Sequence, residues 1–377
     1  LSSRVMAQQL DRRRPLWETW VVEGLEGGER FAMITKIHHC MIDGASGVDL
    51  AHILLSPSPD APLPPEVPEF VPRPAPSRAQ LLRDETTRRL ALPLHALRAM
   101  REFARQTADL RDELEVRGRA LLNLARTGTR ADATPMNGKV GPHRRFDWLD
   151  VPLDGLKAMR RALGCTINDL VLTAVTGAVR EYLLYRGVHP ERVTFRVSAP
   201  VSIRSEAERG RLGNRVSSWI VPLPIAEPDP RRQLAVILHQ TQVLKETRQA
   251  LGVEMMMGVA EWTPSILLSL GARAMSGPVN TIVTNVPGPQ IPLYLQGARL
   301  RALYPQAPLL DGMGLAIGLV SYDGRVHWGI VSDPDLVPDA DVFTDLVAKS
   351  LRALAEAAGL APDAAAPGAG APVPSVH

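Results

Sequence analysis

Lys36-Ile37-His38-His39-Cys40-Met41-Ile42-Asp43-Gly44 is the stretch on which the fold turns. It closes two β-type runs, 17–24 (WETWVVEG) and 29–37 (ERFAMITKI), joined by a turn at Gly27-Gly28. It opens 44–55 (GASGVDLAHILL), which reads as a helix. Two histidines therefore stand where a strand gives way to a helix. Side chains alternate faces along a strand, so His38 and His39 cannot enter one cavity together and a shared metal is not expected. One can face a site while its neighbour packs into the domain. A histidine titrating near neutrality suits general-base work on a hydroxyl. Asp43 falls in the first turn of the next helix, where capping is its simplest role. Gly44 admits a tight turn that a larger residue would strain.

Outward from this junction the chain divides by composition. Nine prolines between Pro57 and Pro76 exclude an interior helix or central strand and predict an extended linker. From Arg78 to Arg126 leucines recur at helical spacing among many arginines, with a break expected at Pro93. That stretch is either a solvated basic face or an amphipathic contact with anionic membrane. Further on, helices are expected at 153–163, 167–186, 230–248, 254–274 and 338–358. Strands are expected at 192–201, 215–223, 279–286, 298–304, 313–322 and 325–332. The alternation predicts an α/β fold with a mixed sheet flanked by helices. Residues 361–377 (APDAAAPGAGAPVPSVH) are of low complexity and expected to be disordered.

The 377 residues suggest two to three domains, or a large pseudo-symmetric pair. A net charge of +3, from 43 basic and 40 acidic residues, argues against nucleic acid as a partner. No run approaches 18 uninterrupted apolar residues, so a spanning helix is not expected. Cys40 and Cys165 cannot make a disulfide framework, and a reducing cytoplasmic setting is expected. The chain starts at Leu1 without a signal-peptide pattern and reads as a fragment or processed product.

His38-His39-Cys40-Met41-Ile42-Asp43-Gly44 matches the HHxxxDG motif of the chloramphenicol-acetyltransferase-like, CoA-dependent acyltransferases. Further segments resemble one branch of them, the bacterial wax ester synthase/diacylglycerol acyltransferases. Arg14-Pro15-Leu16-Trp17-Glu18 looks like their PLW motif. Asn137-Gly138 with Gly141-Pro142-His143-Arg144-Arg145 looks like their NGxxGPHRR segment. Thr166-Ile167-Asn168-Asp169 resembles their ND motif. Leu212-Gly213-Asn214-Arg215 and Thr284-Asn285-Val286-Pro287-Gly288-Pro289 resemble further blocks, all in the family's order.

The resemblance implies two chloramphenicol-acetyltransferase-like α/β domains with mixed sheets flanked by helices and an active-site tunnel between them. Only 37 residues precede the histidine pair, so the N-terminal domain is expected to be incomplete, its remainder supplied by a separate bound segment. Residues 1–56 would be the rest of that domain, 57–142 the linker and connecting helices, 143–360 the second domain and 361–377 a tail. The substrates implied are acyl-CoA with diacylglycerol or a long-chain alcohol, and no cofactor is implied. The setting implied is cytoplasmic, peripheral on the inner face of the cell membrane and on lipid droplets.

His39 would take the acceptor hydroxyl's proton, with His38 in support and Asp43 and Gly44 holding the loop. Thr166 and Asp169 have capping-box spacing, so Asp169 is expected to cap a helix. Asn168 is not explained that way, and the resemblance assigns its amide to the developing oxyanion. Pro15, Leu16 and Trp17 would support the site's floor, and Asn285 would order the Pro-Gly-Pro turn. Cys40 is expected as a small buried apolar residue. Arg144 and Arg145 are weighed between CoA phosphates and a solvated patch, and Met255-Met256-Met257 between an acyl channel and helix core. The other function class is a condensation-type or non-catalytic lipid-binding homologue that works with carrier proteins. The PLW and TNVPGP blocks favour the lipid enzyme.

Overall fold

The computed structural model describes residues 1–41, 51, 53–62, 71, 74–91, 131–202, 216–246 and 279–362. Asp43, Gly44, residues 45–50 and 52 of the expected 44–55 helix, the 92–126 stretch, Leu212 to Arg215, the expected 254–274 helix with its three methionines and the tail from 363 lie outside them.

A six-residue helix, α1 (Ser2–Ala7), leads into an antiparallel ribbon of β1 (Trp17–Leu25) and β2 (Arg30–Ile37). Gly27 and Gly28 make the reversal with φ of 74° and 97°, the left-handed region a side chain would resist. Next come β3 (Arg145–Pro152), α2 (Leu153–Leu163), α3 (Ile167–Tyr185), β4 (Phe195–Ser202), β5 (Val216–Leu223) and α4 (Pro230–Glu246). The chain continues with β6 (Thr281–Pro287), a hairpin of β7 (Tyr294–Leu295) and β8 (Ala298–Arg299), β9 (Leu315–Tyr322), β10 (Arg325–Ser332) and α5 (Ala340–Ala357). Six strands form one mixed sheet in the order β3-β10-β9-β6-β4-β5. The β4–β6 and β6–β9 pairs are parallel and the others antiparallel.

α3 decides how this sheet is covered. Residues 170–176 are all buried, and a helix apolar round its circumference must lie inside. It packs against α4, α5 and β5. The hydroxyls of Thr173 and Thr176 donate to the carbonyls of Asp169 and Leu172, both at 2.7 Å, so neither is stranded in the core. A Cβ at Gly177 would come within 2.3 Å of Ser350 Oγ, which shows how closely α3 approaches α5.

β9 and β10 are buried along almost their whole length. Such continuous burial requires cover on both faces. Helices cover one face. On the other, residues 300–311 run as an extended strap, with Pro305 over Gly318 and Gly329, which are opposed across the two strands. A Cβ on Gly329 would stand 1.8 Å from the Pro305 carbonyl oxygen, so only glycine fits there. The strand expected at 298–304 is therefore two residues of hairpin followed by strap. Pro305 and Pro308 lack the N–H that a ladder needs. β3 was not foreseen, because Phe146-Asp147-Trp148-Leu149 offers apolar side chains to both faces and blurs the alternation.

Beneath the strap, His327 Nδ1 lies 2.7 Å from Asp150 Oδ1, and Tyr304 donates its hydroxyl to Asp150 Oδ2 at 3.0 Å. Burial works to raise the Asp150 carboxyl. The hydrogen bond and charge of His327, the Tyr304 bond and Arg325 outweigh it and hold the carboxyl below its ordinary value.

The chain enters β3 through a locked segment. Asn137 Nδ2 donates to the carbonyls of Asn280 and Gly312, each at 2.9 Å, and Asn280 Nδ2 returns a bond to Asn137 Oδ1. The Gly141 N–H donates to the buried Asp333 carboxylate at 2.6 Å. Arg144 donates to the carbonyls of Gly141 and His143, and Arg145 to that of Pro338. The NGxxGPHRR segment is therefore fastened to groups elsewhere in the domain through Asn137, Gly141 and Arg145, while the Arg144 guanidinium braces the segment's own carbonyls.

Candidate active site

The histidines are presented by the end of the β1–β2 ribbon. Trp17 pairs with Ile37 and Glu18 with Lys36. The ladder continues one residue past β2, where the His38 N–H donates to the Leu16 carbonyl at 2.9 Å. Pro15 contributes its own carbonyl to the Trp17 N–H at 2.7 Å. The PLW segment thus grips the backbone at His38, a role that residue type alone does not disclose. The chain then turns, with the Met41 N–H bonded to the His38 carbonyl at 2.9 Å.

This turn corrects two expectations. Cys40 is exposed, not buried, because the strand stops at Ile37 and alternation no longer applies at 38–41. His38 is exposed as well and does not pack into a core. Its Nδ1 accepts the Cys40 N–H at 3.2 Å, so the ring steadies the turn locally. His39 is exposed beside it. Trp17 is 53% exposed, so among the described residues it is not packed as a floor.

Asn168 stands on the first turn of α3, half-buried, at the second helical position. Thr166 is the N-cap. Its side chain accepts the Asp169 N–H at 3.2 Å, while Asp169 Oδ2 accepts the Thr166 N–H at 2.9 Å and the Thr166 hydroxyl at 2.6 Å. The capping box expected from the spacing is complete. Asp169 does more than cap: its Oδ1 accepts the hydroxyl of Thr241 on α4 at 3.0 Å, deep in the core. The Asn168 amide and the outward backbone N–H groups of the first turn are donors of the kind an oxyanion needs.

Asn285 lies inside β6, opposite Leu319. The bonds that fasten the following Pro-Gly-Pro turn come from elsewhere. Ser321 Oγ accepts the Gly288 N–H at 3.2 Å, and Gln290 Nε2 donates to the Gly288 carbonyl and to Ser321 Oγ. A Cβ at Gly288 would lie 2.3 Å from the Ser321 carbonyl oxygen. Among the described residues no group of three His, Cys, Asp or Glu side chains could hold a metal ion. No single helix among them is long and apolar enough to cross a membrane.

The sequence reading passed over Lys36, which the ribbon buries at 8% exposure. A lysine on a strand that is exposed at Phe31, Met33 and Thr35 gives little warning of burial. Its position directly opposite Glu18 was the available signal.

The likeness to known proteins runs along the whole of this arrangement. The family profile described as the wax ester synthase/diacylglycerol acyltransferase catalytic domain matches residues 1–171, and the WS/DGAT C-terminal domain profile matches 212–355. A Mycobacterium tuberculosis protein named as a diacylglycerol O-acyltransferase is 34% identical over 370 residues, covering 96% of this chain and 78% of its own. Another from that organism, named likewise, is 31% identical over 369 residues, covering 92% and 68%. The solved wax ester synthase/diacylglycerol acyltransferase of Marinobacter aquaeolei VT8 superposes with a TM-score of 0.66 at 25% identity, covering 95% of this chain and 76% of that one. The first condensation domain of the calcium-dependent antibiotic synthetase, at 16% identity and a TM-score of 0.50 over 93% of this chain and 72% of that one, shares the fold alone. With the His38 backbone clipped to the PLW segment and Thr166 and Asp169 capping α3, this chain belongs to the wax ester synthase/diacylglycerol acyltransferase family.

Proposed function

We propose that this chain is an O-acyltransferase that moves a long-chain acyl group from acyl-CoA to diacylglycerol or a long-chain alcohol, giving triacylglycerol or wax ester. The observation that carries the reading is the HHxxxDG strand end, its backbone held by the PLW segment, in a chain related over its length to diacylglycerol O-acyltransferases. His39 takes the acceptor's hydroxyl proton as the oxygen attacks the thioester carbonyl carbon. The carbonyl oxygen becomes an oxyanion, for which Asn168 is the donor. As the tetrahedral intermediate collapses, the C–S bond breaks and His39 returns the proton to the CoA thiolate. His38, Asp43 and Gly44 hold the turn, Asp169 fixes the helix start, and no cofactor takes part.

The reading places the enzyme in the cytoplasm, peripherally on the inner face of the cell membrane and on lipid droplets, since its acceptors are water-insoluble.

The test is incubation with labelled palmitoyl-CoA and either hexadecanol or dioleoylglycerol, followed by thin-layer chromatography. Labelled ester should form, and His39→Ala should lower the rate by about 10²–10⁴-fold, the range for a positioned base. A folded His39→Ala protein that keeps more than about a tenth of the rate refutes the role of His39. No ester with either acceptor refutes the activity.

A further inference from the structure

Lys36 is the only lysine or arginine among the described residues that is buried. Its ammonium donates to the carbonyls of Val5 and Gln8, each at 2.8 Å, and Glu18 Oε1 lies 2.5 Å away as counter-ion. Those two carbonyls belong to the end of α1. α1 is fixed in turn: Val5 is buried, and Gln306 donates to Ser2 Oγ. Gln306 adjoins Pro305, which is wedged over Gly318 and Gly329 of the six-stranded sheet. A continuous path thus runs from the rigid sheet through strap and α1 to Lys36, two residues before His38. The opposite partner, Glu18, adjoins the PLW segment whose Leu16 carbonyl holds the His38 N–H. The two groups given chemical roles sit at the ends of this path, His39 on the ribbon and Asn168 on a helix packed against the sheet.

We propose that Lys36 is a positioning residue for acyl transfer, its buried ammonium clamping the histidine-bearing strand end to α1 and so to the sheet that carries Asn168. The inference rests on the acyl-transfer reading above for its kinetic part. A buried charge can be held there only by directed partners, so the ammonium sets the strand's place as well as being satisfied. A misplacement of about 1 Å between reacting groups can cost about 10²-fold in rate.

The test is Lys36→Met, which keeps chain length but cannot donate, assayed as turnover per folded molecule. We expect kcat to fall by about 10- to 100-fold, with KM for palmitoyl-CoA and acceptor within about twofold. The pH midpoint of kcat/KM should stay put, because Lys36 acts through placement. Hydrogen exchange gives a readout independent of activity: the His38 amide should exchange at least about tenfold faster while the amides of β9 and β10 keep their protection. Should the single variant fail to fold, Lys36→Met with Glu18→Gln removes the uncompensated carboxylate and carries the same expectations. A kcat per folded molecule within about twofold of wild type, or an unchanged His38 exchange rate, overturns the proposal. A wild type without transfer activity whose variant still frees the His38 amide would fault the acyl-transfer reading and leave the clamp standing.

Discussion

Replacing Asp169 by alanine tests whether α3 is anchored as its hydrogen bonds imply. The carboxylate is 2% exposed and accepts three bonds, two from Thr166 and one from Thr241. Losing the box at the helix start costs about 1 kcal/mol. The Thr166 hydroxyl and the Thr241 hydroxyl also lose a charged acceptor. Thr241 is 2% exposed but can fall back on the Leu238 carbonyl at 3.2 Å, so its penalty belongs at the low end of roughly 1–3 kcal/mol. Together the loss is about 3 kcal/mol. For a domain of this size each kcal/mol moves Tm by roughly 2–4 °C, so a fall of about 6–12 °C is expected. Urea unfolding followed by tryptophan fluorescence would show the midpoint fall with the slope unchanged. Thr241→Val removes one bond of the three and should cost about 1 kcal/mol. A loss under about 1 kcal/mol for Asp169→Ala, or a larger loss for Thr241→Val, would refute the anchoring role.

Asn168→Ala should behave in the opposite sense, changing stability by about 1 kcal/mol or less while lowering kcat by about 10²–10³-fold. Steady-state kinetics on folded protein checks it, and a raised KM with kcat unchanged would make Asn168 a binding residue. The two cysteines should differ sharply towards maleimide at pH 7.5. Cys40 is exposed beside His39, whereas burial pushes the Cys165 thiol up to about 11. One thiol per chain should label quickly, with transfer lost as it does; equal rates at both cysteines would contradict the placement. Acid should weaken the sheet through Asp150. Its folded pKa is depressed, so its contribution is present above the unfolded value and lost as pH falls through the lower folded one. Unfolding midpoints from pH 7 down to 3 should therefore fall more for wild type than for Asp150→Asn.

Much of the fold was legible because its signals are local. Gly27-Gly28, the runs on either side and the Thr166–Asp169 spacing each specify a turn, a ribbon or a cap within a few residues. α2 and α3 begin and end where their periodicity does, within a residue. The elements misread were those whose partner lies far along the chain. Residues 300–304 carry strand-forming side chains, yet Pro305 and the glycines at 318 and 329 turn them into a strap. Cys40 and His38 were placed by an alternation that ends at Ile37, before it reaches either of them.

By itself the sequence determined the family and the α/β alternation, and it singled out His39 and Asn168 as the residues proposed for the chemistry, because motif spacing survives without coordinates. Tertiary structure decided what holds them. That Lys36 is buried against α1, that the Leu16 carbonyl grips His38, that Asp169 reaches Thr241 and that Arg145 binds the Pro338 carbonyl are facts about groups brought together across the chain. A polar side chain looks the same in sequence whether it meets water or a carbonyl 28 residues away, and only folding fixes which partner removes it from solvent.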